Sequence, residues 1–217
     1  TDLINRVSKA RKSFRDMTPD QRRKMIKNRV VSGGKMFEST LRGNSALVIA
    51  LKLEHGILKN RFSQFVPFLD RAFVNMGMFG DQVFGIKENK KRYAALVDGV
   101  NNFYDATNAA REVAEQQVAE AKEQFDKVNE PYYQLEVPSP ALECKIHIHS
   151  KQSLAHLNAY LEFDRLLSAT TWLHFHSVVT QKDIDETMKA INKLALDVGR
   201  RGYITFVELV QKRNSSQ

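Results

Sequence analysis

The chain has 217 residues, 42% of them hydrophobic, which is enough to fill the core of one large domain or of one domain with an extension. Charged residues interrupt every apolar stretch well before the roughly 20 residues of a membrane span, and the first residues do not resemble a secretory signal peptide. A single cysteine excludes an intramolecular disulfide. Together these features predict a cytoplasmic protein without membrane contact.

The formal net charge of +8 comes entirely from the start of the chain. Residues 1–42 hold twelve basic and four acidic side chains, whereas the other 175 residues hold 21 of each. The twelve basic residues are Arg6, Lys9, Arg11, Lys12, Arg15, Arg22, Arg23, Lys24, Lys27, Arg29, Lys35 and Arg42. Such asymmetry is typical of an arm that binds a polyanion, and a solubilising or assembly extension is the alternative.

Two helices are predicted in this basic segment. Apolar residues spaced by three and four predict a short helix over residues 3–15. Thr18-Pro19-Asp20 combines a capping residue, a proline suited to the first helical position and an acid suited to the positive helix end. We expect this second helix to run to about Val31 and Ser32-Gly33-Gly34 to be a hinge. Residues 1–35 would then be a basic helical N-terminal arm, followed by a helical core domain over residues 36–213.

One strand and one helix are predicted next. Ala46–Leu53 is a short apolar run for which periodicity leaves strand and helix open, and the glycines on either side favour a strand. Residues 57–75 fit an amphipathic helix, with Pro67 inside it or at a break. A loop is expected where three glycines follow, at Gly77, Gly80 and Gly85.

Residues 87–129 carry the clearest periodicity in the sequence. Apolar residues recur in steps of three and four with one stutter, which predicts one long helix that packs on a neighbour along its length. That neighbour could lie in the same chain or in a second subunit, and we expect a homodimer.

Alternation of apolar and polar residues over residues 142–149 is the strongest strand pattern. It places Glu143, Lys145, His147 and His149 on one face and apolar side chains, including Cys144, on the other. Cys144 is therefore interpreted as a core residue.

Helical patterns follow this strand. Thr180 and Asp183 resemble a capping box at the start of a helix that Gly199 is expected to end, before a last short helix over Tyr203–Val210. Residues 142–210 are therefore predicted to form a strand–helix–helix unit.

Catalytic and metal-binding patterns are weak. His147 and His149 share a strand face and His156 lies nearby, but no cysteine pair or HExxH motif completes a zinc site. Ser32-Gly33-Gly34-Lys35 lacks the spacing of a P-loop, and no nucleophile motif is present. We expect no enzyme, metal, cofactor or small-molecule substrate, although a metal-dependent enzyme built on the histidine-rich strand stays as a third hypothesis.

Nucleic-acid binding is the favoured hypothesis. Lysine and arginine in the arm would neutralise phosphates and release counterions. A strand from each of two subunits can also pair into a ribbon that enters the major groove, where Lys145 could donate to guanine, Glu143 could accept from cytosine and His147 could contact a base. The alternative is an ordinary strand of a small sheet.

The C-terminal third resembles the AcaB-like family, which is encoded on integrating conjugative elements and conjugative plasmids. The resemblance lies in segments 145–151, 159–167 and 199–203, above all in the pattern Tyr160-x-x-x-Asp164-Arg165-Leu166. It implies a DNA-binding transcriptional regulator related to ribbon-helix-helix proteins, and no catalytic residues.

The sequence thus predicts a mainly α protein with one long helix and a short two-stranded β element that could form a ribbon-helix-helix-like unit. The expected function is regulation of a conjugative mobile element through double-stranded DNA. The alternative is a non-enzymatic assembly or scaffold protein of conjugation or replication that binds a protein partner.

Overall fold

The computed structural model describes residues 16–137 and 139–215, and the helix expected over residues 3–15 lies outside this part. Five helices and two strands are present there. In chain order they are α1 (Pro19–Glu38), β1 (Leu47–Leu53), α2 (Gly56–Phe84), α3 (Ile86–Lys127), β2 (Leu142–Ile148), α4 (Lys151–Phe175) and α5 (Gln181–Ser215). The mainly helical class with a two-stranded β element is confirmed.

Helices α2 to α5 pack around a shared aromatic and aliphatic core. The Tyr160 ring of α4 meets Phe62 of α2 and Phe103 of α3 edge-on, with ring centroids 5.4 and 5.3 Å apart. Rings at such distances add favourable quadrupole contacts to the burial of apolar surface. The core of the described residues is therefore one continuous cluster shared by helices that are distant in sequence.

The strands form a two-stranded antiparallel sheet in which Leu47 pairs with Ile148 and Leu53 with Leu142. The inner face carries the buried Leu51, Leu53 and Ile146, which pack into the core. The preference for a strand over Ala46–Leu53 and the strand pattern over 142–149 are both confirmed.

Two predicted helix starts are confirmed. At α1, Thr18 and Gln21 form a reciprocal capping box, with Pro19 at the first helical position. At α5, the Thr180 N–H donates to the Asp183 carboxylate, and the Asp183 N–H donates to the Thr180 hydroxyl at 3.3 Å. Each pair satisfies backbone donors that the first helical turn leaves open.

Three expectations that placed a hinge, a loop or a helix end at glycines are wrong. Gly33 and Gly34 lie inside α1, so Ser32-Gly33-Gly34 is not a hinge. Gly77 and Gly80 lie inside α2, and Gly199 lies inside α5, which continues through Tyr203–Val210. Gly85 does separate two helices, with a φ of 82° that favours glycine.

The helix predicted over residues 87–129 is α3, with 42 residues. It is not alone in being long, because α2 has 29 residues, including Pro67, and α5 has 35. No helix in the described part of the chain combines the length and apolar character needed to cross a bilayer.

Candidate nucleic-acid interface

Helix α1 is docked against α2 by close packing. A Cβ on Gly33 would lie 1.8 Å from the Ser63 carbonyl oxygen, so only glycine fits where the two backbones approach. Four residues later, the buried Phe37 stacks on Phe62 with centroids 5.3 Å apart. The spacing of four puts both residues on one helix face. The other face of α1 is left toward solvent.

The C-terminal end of α1 is held by two side chains of the core. The Arg71 guanidinium donates to the Met36 and Ser39 carbonyl oxygens at 3.0 and 2.6 Å. The His147 ring nitrogen Nδ1 donates to the Phe37 carbonyl oxygen at 2.9 Å. These donors satisfy carbonyls that a helix end leaves open, and the positive guanidinium suits the negative end of the helix dipole. These bonds fix the orientation of the basic helix α1 relative to the core.

The sequence-predicted cations of α1 divide into two groups. Arg22 and Arg29 are half-buried, and the Arg29 guanidinium stacks over the Tyr203 ring of α5 at 4.2 Å. The others are exposed along the solvent face of the helix and in the loop after it. These are Arg23, Lys24, Lys27, Lys35 and Arg42. Arg23, Lys24, Lys27 and Lys35 form a row along one side of α1. Arg6, Lys9, Arg11, Lys12 and Arg15 lie outside the described residues.

Lys145 and His147 both lie on the outer face of the sheet but differ in exposure. Lys145 is exposed opposite Ala50, and Glu143 is exposed opposite Lys52. His147 is half-buried because its ring is bonded to α1, so its role in the described structure is to hold that helix. Because β2 pairs with β1 of the same chain, the strand pair is intramolecular, unlike the two-subunit ribbon considered from the sequence.

Two buried carboxylates secure the ends of the sheet, and sequence reasoning did not identify this role. Asp164 accepts from the backbone N–H of Glu54 and from both the backbone N–H and the ring of His55, at 2.8 to 3.0 Å. Asp70 accepts from the backbone N–H and the ring of His149, at 3.0 and 2.7 Å. Asp164 is the acid of the Tyr160-x-x-x-Asp164 pattern, so that pattern has a structural explanation here.

The hydrogen bonds also set the ionisation of Asp164. Burial favours its neutral form, but the bonds from His55 and Glu54 outweigh burial and leave the pKa of Asp164 below its ordinary value. The carboxylate is therefore a stable anion that anchors the end of β1.

The three histidines considered as metal ligands have separate environments. His147 bonds to α1, His149 to Asp70, and His156 is fully buried between aromatic rings. Within residues 16–137 and 139–215 there is no group of three or more His, Cys, Asp or Glu side chains that could hold a metal ion. Cys144 is half-buried on the inner sheet face, where burial and the nearby Glu38 raise the pKa of its thiol. A raised thiol pKa is unlike that of an activated nucleophile.

A groove on α5 carries further cations that sequence reasoning missed. It is an open groove of about 700 Å3 beside Ile57 of α2, and its charged lining consists of Lys189, Lys193 and Arg200 together with Asp185 and Asp197. The only sequence signal was the spacing of these cations by four and seven residues, which repeats on one helix face. Arg200 also lies three residues before Tyr203, on which Arg29 stacks, so the groove approaches the region where α1 and α5 meet.

Comparison with solved structures shows a shared fold. The structure of selenomethionine-containing AcaB from uropathogenic E. coli superposes with a TM-score of 0.55, covering 80% of this chain and 86% of that one, at 11% sequence identity. No protein-family model matches the sequence, and no curated protein matches it. The fold is therefore AcaB-like, as the sequence resemblance led us to expect.

Proposed function

We propose that this protein binds double-stranded DNA through the solvent face of α1 and acts as a transcriptional regulator of a conjugative mobile element. The observation that carries the proposal is the row of exposed cations on a helix whose other face is locked to the core. A rigid row of cations neutralises phosphates with little loss of side-chain and backbone freedom on binding. The AcaB-like fold supports the link to conjugative elements.

We further propose that the outer sheet face contacts DNA bases. Lys145 is exposed on the outer sheet face and can donate to guanine O6 or N7, whereas His147 already bonds to α1. We also propose that the protein is a cytoplasmic homodimer that acts without a cofactor and without catalysis.

The salt dependence of binding tests the phosphate contacts. Replacing Lys24, Lys27 and Lys35 with Ala should lower the slope of log K against log[salt] for a duplex by about 0.9 for each phosphate that the variant no longer neutralises. The matched control replaces Lys59, Lys127 and Lys182, which are also exposed but lie on other helices. Titrations of labelled duplex, single-stranded DNA and RNA would measure this. An equal change in both triple variants, or no binding to any of the three, would disprove the proposal.

A separate experiment tests whether Lys145 contacts DNA bases. Selection from a random duplex pool should return a preferred sequence for the unmodified protein. Lys145→Ala should bind that sequence and random duplex about equally, with unchanged affinity for random duplex. If the preference survives Lys145→Ala, the sheet does not read bases.

A second candidate function is a non-enzymatic assembly protein of conjugation or replication. The observation in its favour is a set of exposed apolar side chains where α3 and α4 end. A protein of this kind would bind a protein partner at salt concentrations that remove DNA.

A further inference from the structure

Helices α3 and α4 run in the same direction, so their C-terminal ends meet at one end of the molecule. Two ring pairs show this direction. Phe103 of α3 contacts Tyr160 of α4, and the later residue Phe125 of α3 contacts the later residue Trp172 of α4. At this end four rings cluster, with Trp172 and His176 stacked 4.0 Å apart. The cluster and the exposed residues beside it are called the aromatic tip, which consists of Phe125, Tyr132, Tyr133, Trp172, Phe175 and His176.

The backbone of the aromatic tip is fixed by hydrogen bonds. The Tyr133 N–H donates to His176 Nε2 at 3.0 Å, and Trp172 Nε1 donates to the Tyr133 carbonyl oxygen at 3.0 Å. His176 Nδ1 donates to the Trp172 carbonyl oxygen at 2.8 Å, which leaves Nε2 as the acceptor for Tyr133. The segment after α3 is thus attached to the end of α4 through both backbone polar groups of Tyr133.

Large apolar side chains project from this fixed backbone. Tyr133 is 74% exposed, Phe175 70% and Val128 68%, and Val178 is also exposed at 41%. The rings that pack the segment after α3 and the end of α3 against α4 are those of Phe125, Tyr132 and Trp172, and the exposed rings are not among these pairs in the described residues. Clustered exposed aromatic residues on an ordered backbone mark interaction surfaces.

The charge around the aromatic tip is negative. Residues 120–137, which are the last two turns of α3 and the segment after it, contain five acidic and two basic side chains. Both basic ones are already engaged: Lys127 pairs with Glu123, and Lys122 lies over the Trp172 ring at 5.4 Å. The tip therefore repels phosphate and attracts cations.

We propose that the aromatic tip is a docking surface for a protein segment that carries lysine or arginine beside apolar side chains. The exposed rings supply apolar contacts, and the acidic residues of α3 select a basic partner over an acidic one. The proposal depends only on the geometry and charge of the tip, so it holds whether or not α1 binds DNA.

The chain contains its own reporter for this test, because Trp172 is its single tryptophan and lies in the tip. The probe is a dye-labelled helical peptide of leucine and lysine, and the control peptide has glutamate at every lysine position. The lysine peptide should bind saturably, with parallel changes in Trp172 emission and in dye anisotropy. The double variant Tyr133→Ser, Phe175→Ser should bind it at least about tenfold more weakly, since each removes an aromatic anchor.

The matched control is Met78→Ser, Ile86→Ser, which removes two side chains that are 51% and 61% exposed and belong to α2 and the start of α3. It should bind the peptide like the unmodified protein. The proposal is overturned if both double variants lose affinity equally, if the glutamate peptide binds as well, or if Trp172 emission shows no saturable change. Self-association that the tip variant abolishes, measured by sedimentation without peptide, would identify a second copy as the occupant and would also overturn it.

Discussion

At the scale of single residues, the least expected feature is a pair of polar side chains buried without hydrogen bonds. His156 and Tyr160 lie one turn apart on α4, both pack against Phe103, and neither has a hydrogen-bond partner within the described residues. Burial lowers the pKa of His156 to about 3 and raises the pKa of Tyr160. Both groups are therefore neutral across the physiological range, and His156 acts as a core residue.

The buried His156 predicts a loss of stability in mild acid. The unfolded chain binds a proton at His156 near pH 6.5, whereas the folded chain does so only near pH 3, so stability is full above 6.5 and falls as the pH drops toward 3. The loss should amount to about 3 kcal/mol between about pH 6.5 and pH 4. Leucine cannot titrate, so His156→Leu should remove this loss, as urea unfolding followed by circular dichroism at several pH values would measure.

The variant His174→Leu makes the same substitution at an exposed position of α4 and provides the control for the change of side chain itself. Identical pH dependence in His156→Leu and the unmodified protein would show that His156 is not the group responsible.

At the scale of elements, the sequence predicted local patterns well and long-range approaches poorly. The capping residues Thr18 and Thr180 and the alternation over 142–149 are local signals, and each marked an element correctly. Gly33 and Gly199 were interpreted as helix ends, but each lies inside a helix where another element comes close. A Cβ on Gly199 would lie 2.4 Å from the Phe65 ring. Single-sequence patterns do not distinguish these two uses of glycine.

The candidate interface also depends on long-range contacts that local sequence patterns do not predict. The basic segment was evident from composition, but which cations of α1 face solvent depends on the docking of Gly33 and Phe37 against α2. Local patterns predicted both strands, but the pairing of β1 with β2 joins segments separated by the two long helices α2 and α3, so no local signal fixed that pairing within one chain. His147 was interpreted as a base contact because it lies on the polar face of the predicted strand, and its bond to the Phe37 carbonyl, 110 residues away, had no local signal.

Adjacent glycines in α1 permit a matched pair of substitutions. Gly33→Ala should undock α1 from α2 and cost about 1–3 kcal/mol of stability, since its Cβ would overlap the Ser63 carbonyl. Gly34→Ala has no neighbour within 4 Å and should stabilise the helix by roughly 0.5–1 kcal/mol. Urea unfolding and amide hydrogen exchange over α1 would measure both. Faster exchange in Gly34→Ala than in Gly33→Ala would contradict this account of the docking.

At the scale of the whole molecule, charge is separated between two regions. The buried end of α1 packs on the core where Phe37 stacks on Phe62, whose ring meets Tyr160, and the acidic aromatic tip lies at Trp172. Twelve residues of α4 separate Tyr160 from Trp172, which is about 18 Å along the helix axis. A phosphate ligand on one region and a basic protein segment on the other can therefore be bound together without contact between them.

This separation predicts how the two proposed binding reactions depend on each other. The Debye length is about 8 Å at 0.15 M salt and about 30 Å at 0.01 M, so the two regions are screened from each other only at the higher concentration. A saturating amount of the lysine peptide should change duplex affinity by less than about twofold at 0.15 M salt. At 0.01 M it should strengthen duplex binding several-fold, because neutralising the acidic tip removes a repulsion that the phosphates experience.

Duplex titrations with and without peptide at the two salt concentrations would measure this coupling. The variant Tyr133→Ser, Phe175→Ser controls for direct peptide–DNA contact, because it should show no peptide effect at either concentration. Coupling must be reciprocal, so duplex should tighten peptide binding by the same factor at low salt. Strong coupling that persists at 0.15 M would mean that the two ligands share a surface or that a conformational change links them, and it would refute the electrostatic explanation.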